Sequence, residues 1–198
     1  PEAMLTAAIE AIDAANSQDP NMLEHQGQKL PKELWHSRLA TEWLLRLDPE
    51  ASAEQQLAAR AHHIKRWQIP RSSYPKDRRG YLKWRTELAR FHADEAGAIL
   101  TEAGYDSQAV AQVKAIIQKR NLKTDPQVQT HEDVLCLVFL STQLDSFSEE
   151  LDLDKLIEVL AKSLNKMSER GREQAVRLSL SARQRGILAR ALALSKTL

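Results

Sequence analysis

Apolar residues recur every three to four positions along most of this chain, the spacing that puts them on one face of an α-helix. Leu5, Ala8, Ile9 and Ile12 predict an amphipathic helix from Ala3 to about Ala15, stopped at Asn16-Ser17-Gln18-Asp19-Pro20. A polar connection follows. Leu30-Pro31-Lys32-Glu33 opens a second helix with Pro in its first turn, and Asp48-Pro49 closes it. Leu39, Ala40, Trp43 and Leu47 share a face with His36, so that face is expected to be buried.

Ser52 with Gln55 three residues on forms a capping-box pattern for a third helix through His62, His63 and Ile64, ending before Pro70. The stretch from Ile69 to Gly80 reads as an ordered loop. A long helix from about Tyr81 to Ala103 carries Leu88, His92, Ala96 and Ile99 on one stripe, and Gly104 ends it. Ser107 to Arg120 gives another. Two starts compete for the next helix: a Thr130-His131-Glu132-Asp133 capping box, or Asp125-Pro126, which puts Asp133 inside the helix; the earlier start is preferred. Val134 to Leu140 is short enough to be a strand, but nothing elsewhere alternates to pair with it, so helix is expected. Leu153 to Lys166 and Arg172 to Leu194 complete the set, separated near Gly171. The expected architecture is all-α, a single-domain helical bundle over residues 1–198.

Composition agrees with that picture. The 198 residues are 42% hydrophobic and 28% charged, a globular balance, and long enough to enclose a buried site without staples. Lys and Arg number 28 against 27 Asp and Glu, so the overall field does not favour nucleic acid as a partner. Cys136, the single cysteine, lies in an apolar run and reads as a small core residue. No stretch approaches a membrane span or a signal peptide, and a cytoplasmic protein with no membrane partner is the expectation.

The chemistry concentrates in histidine. His36, His62, His63, His92 and His131 fall on successive predicted helices, with Glu132 and Asp133 beside the last. Imidazole and carboxylate are ligands for first-row divalent metals, and helices can bring distant residues to one cavity. Each also has a plain structural reading, as a core-edge, solvated or helix-start residue.

Ala58-Ala59-Arg60-Ala61-His62-His63-Ile64 resembles the Ala-Ala-x-x-His-Asp-Ile signature of the HD-domain superfamily of metal-dependent phosphohydrolases. His36 stands where that superfamily places its first ligand histidine, His92-Ala93-Asp94-Glu95 resembles its next histidine-bearing helix, and Asp133 takes the place of its closing aspartate. The resemblance implies an HD-like fold and a divalent transition metal, Zn, Fe, Mn or Ni, held by His36, His62, His63, His92 and Asp133. It also implies Glu132 as a general base or ligand-orienting group. Two positions depart from the pattern: His63 replaces the aspartate of the pair, and Lys119 stands where two-metal members often carry histidine. Lys119 could instead meet a phosphate.

Directly after the His62-His63 helix, Arg66, Trp67, Arg71, Tyr74, Tyr81, Trp84 and Arg85 interleave guanidinium groups with aromatic rings. Such a surface can hold phosphate and stack a base through Arg66, Arg71, Tyr74 and Arg85, or it is a loop pinned by its aromatics. Nearly the whole chain also resembles a family of unknown function found in bacteria and fungi, some members of which are labelled glutamyl-tRNA synthetase. Lys166-Met167-Ser168 is the only synthetase-like element, without a nucleotide-binding sheet or His-x-Gly-His, and a helix-end lysine is the expected reading. The leading expectation is a metal-dependent HD-like phosphohydrolase of a small phosphorylated metabolite or nucleotide. The alternatives are a non-catalytic helical module binding a nucleotide, RNA or protein, and an iron-dependent oxygenase on the same scaffold.

Overall fold

The computed structural model describes residues 1–198 and is almost entirely helical, as the periodicity predicts. Two compact units divide the chain, Pro1–Asn121 and Leu122–Leu198. No helix is long and apolar enough to cross a membrane.

The first unit contains α1 (Glu2–Asn16), a hairpin of β1 (Met22–His25) and β2 (Gln28–Pro31), α2 (Lys32–Leu47), α3 (Ala53–Ala61), α4 (Arg78–Glu102) and α5 (Ser107–Ile117). Ile12, Leu44, Leu57, Leu88, Leu100 and Ile116 are fully buried between these helices. Helix α3 is central, packing on α1, α2 and α5, while α4 lies along α5. A bidentate ion pair fastens the first three helices: Arg60 on α3 donates to both oxygens of Asp13 on α1 at 2.7 Å, and to the Thr41 hydroxyl on α2 at 3.3 Å.

Three local features differ from the sequence expectation. The polar connection contains the antiparallel hairpin, turned by Gln26 (φ 50°) and Gly27 (φ 77°), both in the left-handed region that a tight two-residue hairpin turn requires. Its four-residue strands are too short and too exposed to show alternation. Helix α3 ends at Ala61, before the two histidines. The chain turns through Lys65, at φ 53°, whose N–H donates to the buried Asn16 Oδ1 at 3.2 Å, so a side chain from α1 sets the turn. Helix α5 stops at Ile117, not Arg120. Lys119 takes the left-handed C′ position, with Arg120 N–H donating to Ala115 O and Lys119 N–H to Ile116 O, the Schellman pattern usually built on glycine.

The second unit comprises α6 (Pro126–Thr142), α7 (Leu144–Glu150), α8 (Leu153–Lys166), α9 (Glu169–Val176) and α10 (Ala182–Ser195). Helix α6 begins at Asp125-Pro126 as preferred, with the Asp125 carboxylate accepting from the Gln127 and Val128 N–H groups. The apolar run Val134–Leu140 is helical. Lys166 ends α8, as expected. The predicted helix from Arg172 to Leu194 is in fact two: the break falls between Val176 and Ala182, where Ser181 and Gln184 form a capping box, while Gly171 lies inside α9. Helix α10 packs on α8, and α9 on α6.

Candidate metal centre

Glu33 and His36 occupy one face of α2, three residues apart, and both are buried. The first turn of α2 is fixed from outside the helix, because Asp19 Oδ2 accepts the Glu33 N–H at 2.9 Å and Asn21 O accepts that of Lys32 at 2.8 Å. A carboxylate so close to a helix N-terminus also gains from the helix dipole. Across from it, His62 and His63 stand at the end of α3. Glu33 Oε2 lies 3.8 Å from His36 Nδ1 and 3.7 Å from His63 Nδ1, both beyond hydrogen-bond distance, and this oxygen has no hydrogen-bond partner.

The remaining imidazoles close the cluster. The rings of His62 and His63 are 4.2 Å apart between centroids, and those of His63 and His92 5.6 Å. His62 Nδ1–H donates to Ala59 O at 2.7 Å, and His92 Nδ1–H to Ile64 O at 2.8 Å. A carbonyl only accepts, so each Nδ1 carries the proton, and the neutral ring presents its Nε2 lone pair. In His92 that Nε2 is buried with no partner. His63 is the most accessible of the four, with a quarter of its side chain exposed.

Burial keeps these rings neutral. Desolvation, against the opposing pull of Glu33, lowers His62 to about 4, and lowers His92 to about 3 despite its bond to Ile64. His63 is held well below its ordinary value by desolvation, by His62 and by Arg66. Burial by itself would raise Glu33, but the imidazoles of His36 and His63 outweigh it and hold the carboxyl well below the usual range. The cluster is therefore several neutral nitrogen donors around one carboxylate.

Arg66 borders it. Burial lowers its pKa, Glu33 opposes that, and a guanidinium stays charged regardless. Its carbon lies 5.1 Å over the Trp84 ring, and its Nη1 is buried with no partner. The other basic-loop residues have visible occupations. Arg71 donates to the Tyr74 and Pro75 carbonyls at 3.2 and 2.8 Å, the Tyr74 hydroxyl bonds Glu87, and Trp84 Nε1–H donates to Ile69 O at 2.9 Å. Arg85 is exposed on α4, and its charge is felt at Arg66. An open groove of about 800 Å³ runs along this loop, lined by Tyr74, Arg79, Lys83 and Glu87.

In the second unit, Asp133 is a buried anchor. Its Oδ1 accepts from Gln129 Nε2 at 3.1 Å and from the Ser168 N–H at 2.8 Å, and its Oδ2 accepts from the Ser168 hydroxyl. Ser168 caps α9 in turn, accepting from the Gly171 N–H at 3.0 Å. Glu132 is buried on α6, 3.9 Å from Cys136 Sγ. Lys119 is the half-buried left-handed residue that terminates α5.

Within neither unit do three His, Cys, Asp or Glu side chains stand at metal-ligand geometry. The donor chemistry in the first unit nevertheless fits a divalent metal. Imidazoles tethered through Nδ1 to carbonyls, with Nε2 presented, are what metal-ligating histidines show, and a borderline cation accepts nitrogen with one carboxylate. Glu33 was not singled out as a site residue from the sequence. The signal that could have found it is Glu33-Leu34-Trp35-His36, a Glu-x-x-His spacing that places both donors on one helical face.

Two helical units, the first holding a buried histidine and carboxylate cluster, define an all-α protein. The chain belongs to the family described as Domain of unknown function (DUF4202), whose model matches residues 6–188 and so spans both units. No curated protein and no solved structure matches it.

Proposed function

We propose that this chain is a metal-dependent hydrolase of HD-like type, acting on a small phosphorylated metabolite or nucleotide at the cluster of His36, His62, His63 and His92. The observation that carries this reading is the half-buried Arg66, whose Nη1 is itself buried and unpartnered, beside neutral imidazoles that offer lone pairs. A cation and a set of metal donors side by side suit an anionic ester. A divalent metal held there would supply a water acidic enough to act as a nucleophile near neutral pH. The chain's own residues do the rest: the Ala59 and Ile64 carbonyls orient His62 and His92, and Arg66 holds a phosphate oxygen with its planar fork. His63, the accessible imidazole, faces the approach.

The test begins with elemental analysis of protein purified without added metal. About one equivalent of a transition metal, lost in His63→Ala, is expected, together with phosphate release from a panel of nucleotides and sugar phosphates. Substoichiometric metal that His63→Ala leaves unchanged would sink the proposal.

One observation favours a second reading, a non-catalytic helical module on the same scaffold. Both oxygens of Asp133 are occupied by Ser168 and Gln129, which is the bonding of a structural anchor. On that reading the chain binds phosphorylated ligands through Arg66 with no metal and no turnover.

A further inference from the structure

Glu33 stands out among the buried polar groups of the first unit. Its side chain is 5% exposed, yet Oε2 accepts no hydrogen bond. A buried carboxylate oxygen left without a donor is costly, and such orphans in folded proteins call for an explanation, an ion among them. The Asp19 carboxylate and the Asn21 carbonyl accept from the first turn of α2, so the backbone that carries Glu33 is held in place.

The surrounding donors make the orphan informative. His36 and His63 each place Nδ1 near the same oxygen, at 3.8 and 3.7 Å. Two hydrogen-bonded groups would sit near 2.8 Å, whereas two ligands of one tetrahedral cation, each about 2.1 Å from it, stand about 3.4 Å apart. The observed separations exceed both figures and lie nearer the second, so the three side chains would close in by about 0.3 Å to share an ion. Among the cluster's neighbours His92 also carries an unpartnered, buried Nε2, so a second side chain shares the deficit.

We infer that Glu33 is the carboxylate ligand of the metal centre, sharing the ion with His36 and His63. This rests on the reading of the histidine cluster as a metal site. One carboxylate among neutral imidazoles leaves a bound divalent ion with a net charge of +1, which together with Arg66 suits a phosphate dianion. The assignment moves the acidic ligand to α2, three residues before the first histidine.

The test uses the full chain, stripped with a chelator and titrated with Co²⁺, read by calorimetry and by visible absorption. Glu33→Gln keeps size and shape but loses the charge. Its Co²⁺ affinity is expected to fall at least about tenfold, with a changed visible band. Asp133→Asn should keep both. A Glu33→Gln protein with wild-type affinity and an unchanged band overturns the inference. If His36→Ala abolishes binding in that same series, the metal reading survives without Glu33; if the wild type binds none of Co²⁺, Zn²⁺, Mn²⁺ or Fe²⁺, the metal reading itself falls. Circular dichroism checks folding. Should Glu33→Gln not fold, Glu33→Asp, which withdraws the oxygen by one methylene, must shift the band, and an unshifted band refutes the assignment.

Discussion

His92 Nδ1 and the main-chain carbonyl of Ile64 are joined by a 2.8 Å hydrogen bond that carries α4 onto the turn after α3. The bond decides the tautomer of a buried imidazole and leaves its Nε2 buried without a partner. The same arrangement at His62 and Ala59 gives two neutral, oriented rings. Neither could be neutral in water at mildly acidic pH, and a dependence of stability on pH follows.

The chelator-treated protein should lose stability as pH falls below about 6.5, the ordinary histidine value. An unfolded imidazole protonates there, while folded His62 and His92 do so only near about 4 and about 3. The unfolded state thus binds more protons in this window, stability is full above it, and the loss levels off below the folded values. At pH 5 one such ring accounts for about 2 kcal/mol, from roughly 1.5 pH units at about 1.36 kcal/mol each. Glu33, with its carboxyl held low, adds a loss only below the ordinary carboxylate range. Urea unfolding at pH 7.5 and 5.0 measures this, and His92→Gln should flatten the dependence; equal midpoints at the two pH values would contradict it.

Arg66 is expected to carry anion binding. Inorganic phosphate should raise the unfolding temperature of the wild type and not that of Arg66→Met, whose apolar stem can still pack beside Trp84. Arg71→Met should keep the phosphate response, because Arg71 is already committed to the Tyr74 and Pro75 carbonyls. Equal shifts in all three proteins would remove Arg66 from the site.

Lys119→Gly separates a chemical role from a conformational one. Position 119 is left-handed at φ 53°, where a residue with a Cβ is strained by roughly 1 kcal/mol and glycine is not. The variant should be about 0.5–1 kcal/mol more stable by denaturant melting. On the proposed hydrolase reading, loss of phosphate release in a stabilised Lys119→Gly protein would show that its ammonium serves that reaction; retained release would exclude it from the reaction.

Gly171→Ala should destabilise the second unit by about 1–3 kcal/mol, the usual cost of forcing extra atoms into a filled space. A Cβ there would meet Asp133 Cγ at 2.6 Å, and Asp133 cannot retreat without releasing Ser168. Gly186→Ala on α10 is the control, since nothing lies within 4 Å of its Cβ. Comparable melting of the two variants would mean that the contact between α9 and Asp133 is not tight.

Helix positions were legible where their determinants are local. Asp125-Pro126 and Ser52 with Gln55 start α6 and α3 as expected, because an N-cap acts within one turn. The capping box of Ser181 and Gln184 was equally local, but apolar residues on both sides carried the expected helix across it. The end of α3 was not legible, since the turn at Lys65 is held by Asn16, 49 residues earlier. Four of the expected metal donors, His36, His62, His63 and His92, do gather in the first unit, while Glu33 passed for an ordinary helix-start acid.

By itself, then, the chain's pattern determined an all-α protein, most of its helix starts and the order of its histidines. Those follow from side-chain periodicity and capping, which depend on neighbours three or four residues away. Only the tertiary structure decided that Glu33 shares an oxygen's surroundings with His36 and His63, and that Asp133 is spent on Ser168. Such relations depend on how α2 meets the turn after α3, and how α9 meets α6. Contacts between residues far apart in sequence, such as Asp19 with Glu33, Arg60 with Asp13 and Asp133 with Ser168, fix those meetings.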